Sequence, residues 1–531
     1  MTKRYDSDSS LREKILEGVD ILADNVASTL GPRGRNVILQ SAGKKPIITK
    51  DGVTVAEFVE LDDPFMNAGV QILKQASRET NATAGDGTTT ATVLARAILR
   101  SASRYIIGGA SPIEVKRGID KAVEAMIQGL DKQARPIQDI EDIEHIATIS
   151  ANNDEVIGKL IARAVDSVGK DGSISVAEAR SLQTTLDLQE GFRLDSGYVS
   201  PSFINVERRR AVIYEEPFIM VVDDKIDKIE DIIHILEFVA REGRPLIIVA
   251  SEVEGQALAA LIMNSARGSM KVAAVKAPRY GEERRNILKD LCVATGASFI
   301  TKSGDLKLKN TQLENLGSCK KIEITKAGTT LVEGASDPEI VEKTIENLKL
   351  ELQETENLYE AERIQERIIR LASGIALIKV GAPTEAEMLE KKHRIEDAVE
   401  AVKAAQKEGI VPGGGTALVR AAKNLDLGDP EVLAVFNHPD QQAGAQSVIY
   451  AASAPLRQMA ANAGASPDIV KSLVEDNDGD IGFNFVTGES CDMFEAGVID
   501  PLLVTKAALQ NAASAAGILI TTGHAIIQEK K

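Results

Sequence analysis

A chain of 531 residues is too long for one hydrophobic core, because single cores stop growing near about 250 to 300 residues, so two or three domains are expected. Its 44% apolar and 27% charged residues are those of a globular protein, and with no tryptophan and 3% aromatics its cores must be built from Ala, Val, Ile and Leu. A net charge of -17 with no basic cluster argues against a general nucleic-acid binder.

Cys292, Cys319 and Cys491 are far apart and in no CxxC spacing, which points away from a disulfide framework or zinc site and towards a reducing compartment. Residues 1–14 are polar, and no run of about 18 apolar residues follows, so neither secretion nor a membrane span is expected and the expected location is the cytosol.

In chain order, Leu11, Ile15, Val19, Leu22, Ala23 and Val26 form a helical stripe that ends at Gly31-Pro32. Residues 36–39 and 47–49 are short β-prone runs around Ser41-Ala42-Gly43-Lys44, a predicted hairpin. Residues 65–131 read as helix, interrupted at 84–87 and at Gly108-Gly109. The middle changes character: 218–222, 246–249 and 272–275 are continuous apolar runs separated by helical patterns, as in buried parallel strands. Ile345, Leu348, Leu352, Ile364, Ile368 and Leu371 predict an amphipathic helix or helix pair over 340–372, packed within the fold rather than in a coiled coil. After Gly413-Gly414-Gly415 the chain reads as Ala-rich helix to its end. This α, then α/β, then α order predicts that the two ends form one domain with the middle inserted.

The strongest chemical signal is Ala84-Gly85-Asp86-Gly87-Thr88-Thr89-Thr90-Ala91-Thr92. Small residues let a backbone approach a phosphate, the following helix start offers N–H groups, and Asp86 supplies a hard oxygen for Mg²⁺. The same residues also read as a glycine turn with a capped helix, and no GxxxxGK[ST] pattern is present. Thr29-Leu30-Gly31-Pro32-Arg33-Gly34 can be a second open loop or a helix C-cap with its turn, and Lys50-Asp51-Gly52 sets a cation beside a carboxylate or forms a plain turn. Asp397 and Asp500 carry no signal alone.

Together these pieces resemble the group I, GroEL-type chaperonins over nearly the whole chain. The resemblance rests on Thr29-Leu30-Gly31-Pro32, Ile48-Thr49-Lys50-Asp51-Gly52-Val53, Gly85-Asp86-Gly87-Thr88-Thr89-Thr90-Ala91-Thr92 and Thr148-Ile149-Ser150-Ala151-Asn152. It continues through Val272-Ala273-Ala274-Val275-Lys276-Ala277-Pro278, Arg394-Ile395-Glu396-Asp397-Ala398 and Gly413-Gly414-Gly415, all in the family's order and spacing.

The resemblance implies a multidomain α+β fold: an equatorial ATPase domain at 1–132 and 408–531, an intermediate hinge domain at 133–189 and 376–407, and an α/β apical domain at 190–375. It implies ATP and Mg²⁺ as cofactors. Thr29, Leu30, Gly31, Pro32 and Lys50 would face the phosphates, with Asp86, Gly87, Thr88, Thr89 and Thr90 at the metal and γ-phosphate end. Ile149 and Ser150 would join the pocket, and Gly414, Asn484 and Asp500 would hold the nucleoside. Asp86 would bind Mg²⁺, and Thr29, Lys50 and Thr89 would offer hydroxyl or backbone oxygens to K⁺. Asp397, with Asp51 nearby, would orient or deprotonate the attacking water.

On the apical side it implies that Tyr198, Phe203, Ile233, Leu236, Leu258, Ile262 and Met263 bind non-native polypeptides through exposed apolar helices; two buried helices are the plain alternative. The implied partners are such polypeptides, a small GroES-type co-chaperonin lid and six further copies in a seven-subunit ring, with no nucleic acid and no membrane. The implied setting is the cytoplasm of a bacterium, or of the host of a virus.

Several positions depart from the family. Ser202 stands where an aromatic is usual, and His234 lies in the first apical stripe. Ala465-Ser466 replaces an acidic pair, Ser196 replaces an arginine, residues 425–443 are lengthened around Phe436 and His438, and no Gly-Gly-Met tail closes the chain. The ATPase core is therefore expected to be conventional and the ring contacts less so.

Overall fold

The computed structural model describes residues 2–529, apart from 42, 44, 45, 170–172, 180, 303, 305, 356 and 373. The chain divides into two compact units: one takes the residues up to Arg163, Glu178–Thr184 and those from Val380 onward, and the other takes Ala164–Ala177 and Thr185–Lys379.

In the first unit the helices Asp8–Ala27, Pro64–Ala84, Thr88–Ile107, Pro112–Asp131, Pro439–Ala452 and Leu502–Thr521 pack on one another. Their shared core is rich in alanine and β-branched or leucine side chains, among them Leu11, Val19, Leu22, Leu94, Ile98, Ile119, Ala445, Ala508 and Ala512. Small residues set how closely these helices meet. A Cβ on Gly118 would come 2.0 Å from the Gln441 carbonyl oxygen, and one on Gly444 would come 2.1 Å from that of Val115, so helices Pro112–Asp131 and Pro439–Ala452 touch backbone to backbone. Helix Pro64–Ala84 shows why the boundaries fall where they do: Asp63 accepts from the Phe65 and Met66 N–H groups at 2.8 and 3.0 Å, and Gly85 ends the helix at φ +73°. Leu502–Thr521 is long and apolar enough to cross a membrane, yet most of it is buried as a core helix.

The expected hairpin forms between Val37–Leu39 and Ile47–Thr49; Ala42 and Lys44 of its turn lie outside the described residues. The expectation of unbroken helix after residue 415 is corrected. Strands Ile481–Asn484 and Glu489–Asp492 pair with each other, Ile499–Pro501 pairs with Ile410–Pro412, and His524–Glu529 pairs antiparallel with Thr2–Ser7. The Asn484 side chain accepts from the Val486 N–H at 2.9 Å, building the turn that helical periodicity overlooks. In the lengthened segment, Asp429 caps the short helix Pro430–Val435, and Phe436 is 1% exposed in the helical core.

In the second unit Phe218–Ile226, Leu246–Val253 and Val272–Lys276 run parallel in that order, as their unbroken apolar character predicts. Gly317–Ile324, Thr329–Gly334, Thr185–Leu194 and Gly374–Val380 extend the sheet antiparallel on the other side. Helices Pro338–Glu354 and Leu358–Ala372 form the expected pair. Their Leu348, Ile364 and Leu371 join this unit's core, and Arg367 bonds buried Asp290 through both Nε and Nη2, at 3.0 and 2.7 Å.

Candidate functional site

A cavity of about 250 Å³ in the first unit gathers residues from opposite ends of the chain. One wall is the turn after helix Asp8–Ala27. There the Thr29 hydroxyl donates to the Val26 carbonyl at 2.8 Å, Gly31 takes φ +79°, and the Asn462 amide donates to the carbonyls of Ala27 and Leu30, both at 2.9 Å. These bonds hold Leu30, Gly31 and Pro32 at the cavity wall.

Three helix N-termini converge on the space, those of Gly52–Phe58, Thr88–Ile107 and Thr416–Lys423. Their first N–H groups lack intrahelical partners and carry the positive end of the helix dipole, which suits an anionic ligand. Asp51 caps the first of them, accepting from the Val53 and Thr54 N–H groups at 3.2 and 3.1 Å. Gly85 and Gly87, at φ +73° and +83°, flank Asp86 between two helices. Neither accepts a side chain: a Cβ would fall 2.2 Å from Glu400 Cβ at Gly85 and 2.6 Å from Val504 Cγ1 at Gly87. The triple glycine is equally constrained, because Gly414 and Gly415 take φ +63° and +78° before the third helix.

Asp86 accepts from its neighbour Gly87 N–H at 2.5 Å and from the Ser150 hydroxyl at 2.8 Å. Burial pushes its carboxyl above the ordinary range; the two donors oppose this and the charge of Asp51 adds to it. Asp500 lies on Ile499–Pro501 opposite Val411, and burial first, then the charge of Asp86, push its carboxyl up to about 7 against the Gly414 N–H, which favours the ion. Burial and the nearby Arg394 lower Lys50, with Glu390 acting in the other sense.

Every residue expected of the pocket lines this cavity: Thr29, Leu30, Gly31, Pro32, Lys50, Asp51, Asp86, Gly87, Thr88, Thr89, Thr90, Ile149, Ser150, Asp397, Gly414, Asn484 and Asp500. Asp397 comes from helix Glu385–Glu408, together with Arg394 of the same motif and with Glu390 and His393, which stand one and two turns away on the same face and were not singled out in the sequence. Asn153 was likewise missed. It and Asn152 take left-handed φ of 62° and 59° beside the cavity, after the end of helix Ile140–Ser150.

Among the described residues no group of three or more His, Cys, Asp or Glu side chains could hold a metal ion. Mg²⁺ shared with phosphates needs only one or two carboxylates, and the cavity-lining carboxyl of Asp86 supplies one, a cation there offsetting the burial that disfavours its ionised form.

In the second unit the apolar helices are only partly exposed. Ile233 and Met263 are 47% and 54% exposed, and Tyr198, Leu258 and Ile262 are half-buried. Phe203 and Leu236, at 1% and 6%, belong to the core, which corrects the expectation that they stand on an exposed face. Both side chains join this unit's core: Leu236 lies on the inner edge of its helix stripe, which periodicity does not tell from the outer one, and Phe203, expected beside the helices, ends the short turn Pro201–Phe203.

The chain resembles two crystal structures of the chaperonin gp146 from the Pseudomonas aeruginosa bacteriophage EL 2, both in the presence of ATP-BeFx. Each match has 22% identity and covers 99% of both chains, with TM-scores of 0.68 and 0.63. At that identity the likeness bears on the fold, which is the multidomain α+β chaperonin fold. The family profile of the TCP-1/cpn60 chaperonins matches residues 22–531, and the chain belongs to the TCP-1/cpn60 chaperonin family.

Proposed function

We propose that the chain is an ATP-hydrolysing, group I chaperonin subunit that captures non-native polypeptides and encloses them in a ring cavity while they fold. The observation that carries this reading is Asp86 held between two left-handed glycines at the mouth of a helix, in a cavity that Asp51 and Asp397 also line. The phage relative crystallised with ATP-BeFx lends support, since its fold is shared along the full chain.

In this reading the uncapped N–H groups at the start of helix Thr88–Ile107, with Lys50 and the loop Thr29 to Pro32, receive the phosphates. Asp86 would hold Mg²⁺, with Thr29, Lys50 and Thr89 offering oxygens to K⁺; the bound Mg²⁺ supplies charge neutralisation on the phosphates. Asp397 orients the attacking water and takes its proton, with Asp51 as its neighbour in the site. Asn484, Gly414 and Asp500 receive the nucleoside. Residues 1–132 and 408–531 act as the equatorial domain, 133–189 and 376–407 as the hinge, and 190–375 as the apical domain. Ile233 and Met263, with Tyr198, Leu258 and Ile262 beside them, capture clients by burying apolar surface, each contact weak and the ring multivalent. Seven copies, a small lid protein and a cytoplasmic setting complete the proposal.

The test is ATP turnover by the purified full chain with and without Mg²⁺, paired with refolding of a denatured client. Electron microscopy with and without ATP reads ring number and closure. Absence of Mg²⁺-dependent turnover, or turnover with no effect on clients, overturns it.

A further inference from the structure

Outside the residues that line the cavity, Arg135 is bonded to three segments that lead into it. Its main chain bridges Ile410: the Arg135 N–H donates to the Ile410 carbonyl at 3.0 Å, and the Ile410 N–H donates back at 2.8 Å. Ile410 begins the strand that leads to Gly413-Gly414-Gly415. The Arg135 side chain then turns to two other segments. Its guanidinium lies over the Phe494 ring, 3.6 Å from the centroid, and Nη2 donates to the Asp142 carboxylate at 3.2 Å.

Each partner is itself fixed. Asp142 is 7% exposed, and its other oxygen accepts from the Gln138 N–H at 2.9 Å. It sits near the start of helix Ile140–Ser150, whose last residue donates to Asp86. Phe494 belongs to a turn in which Asp492 accepts from the Phe494 and Glu495 N–H groups at 2.9 and 3.0 Å. That turn presses on the same helix, because a Cβ at Gly497 would meet His145 Cδ2 at 2.6 Å. It continues to Val498, whose carbonyl accepts from the Gly413 N–H at 2.9 Å, and then to Asp500.

An arginine fork can hold a carboxylate and an aromatic face at once. The stack joins the nucleoside side of the cavity to the helix that supports Asp86. We propose that Arg135 is a positioning residue of the ATPase, clamping the turn before Asp500 onto helix Ile140–Ser150 through Phe494 and Asp142. The inference rests on the reading of the cavity as an ATP site.

The experiment compares steady-state ATPase kinetics of the full chain with those of Arg135→Met, Phe494→Leu, the double variant and Phe494→Tyr, alongside thermal unfolding and amide exchange. Loss of the stack is expected to raise KM for ATP about five- to tenfold, with kcat kept within about twofold. The double variant should be no worse than Arg135→Met, and Phe494→Tyr, which keeps the ring, should retain the original KM. Amide exchange should quicken together in 493–499 and 140–150. If Arg135→Met does not fold, Phe494→Leu keeps the Asp142 pair and reads the stack by itself. Unchanged KM in folded variants, or effects that add, overturns the clamp while leaving the ATP site standing. Failure of the unmodified chain to bind ATP overturns the site and the clamp with it.

Discussion

Gly52 lies against Thr89 so closely that a methyl group on it would fall 2.3 Å from the Thr89 hydroxyl oxygen and 3.0 Å from that of Thr88. The turn carrying Lys50 and Asp51 is thus seated directly on the start of helix Thr88–Ile107. Two segments that sequence reading treats as separate turns become one wall of the cavity.

Gly52→Ala tests that contact. The added methyl must displace the Thr89 hydroxyl or push the two segments apart, and Gly52 has no left-handed φ to complicate the comparison. The expected result is at least about a tenfold loss of ATP turnover with a stability cost of about 1 to 3 kcal/mol, read by steady-state ATPase kinetics and denaturant unfolding. Wild-type turnover in the variant would mean that the wall is not part of the site.

Asp397→Ala separates binding from chemistry. The residue lines the cavity from helix Glu385–Glu408, a different element from the helix start that would receive phosphates. Removing a general base costs about 10² to 10⁴ in rate, so ATP affinity should stay near its original value while turnover collapses. Nucleotide titration and single-turnover hydrolysis check the two halves, and full turnover sinks the assignment.

The carboxyl of Asp500, pushed up to about 7, carries a pH prediction. A carboxyl raised above its unfolded value of about 3.9 binds its proton more tightly in the folded chain. Its contribution to stability is therefore complete below pH about 4 and is lost as pH rises towards 7. The ligand-free chain should lose stability across that window, and Asp500→Asn should remove this part of the slope. Thermal unfolding between pH 5 and 8 measures the difference between the two proteins. Parallel profiles would show that Asp500 is not buried as described.

The site was legible in the sequence where backbone conformation demanded glycine. Gly85 and Gly87 take left-handed φ beside neighbours that exclude a side chain, so both the turn and its residue type were visible locally. The parallel strands were legible because burial on both faces makes them continuous apolar runs. Partner choice at long range was not. Thr2–Ser7 pairs with His524–Glu529 from the other end of the chain, and Arg135 stacks on Phe494; no periodicity marks either relation. His393 and Glu390 became visible only when the helix face bearing Asp397 was seen to line the cavity. Phe203 and Leu236 were misjudged because hydrophobicity names candidates for burial and for exposure alike, and packing alone decides between them.

That distinction yields the last prediction, in the second unit. Leu236 is 6% exposed in the core and Ile233, three residues earlier on the same helix, is 47% exposed. Leu236→Ala should cost about 2 to 5 kcal/mol of stability, because it opens a cavity against the strands. Ile233→Ser should cost less than about 1 kcal/mol, as surface changes do. If clients bind this helix, Ile233→Ser should nonetheless weaken suppression of aggregation of a denatured client, and Ile233→Ser with Met263→Ser should weaken it further. Thermal unfolding and light scattering on the same samples separate the two effects. Client capture untouched by both exposed substitutions, with ATP turnover intact, would move the polypeptide-binding surface to another part of the chain.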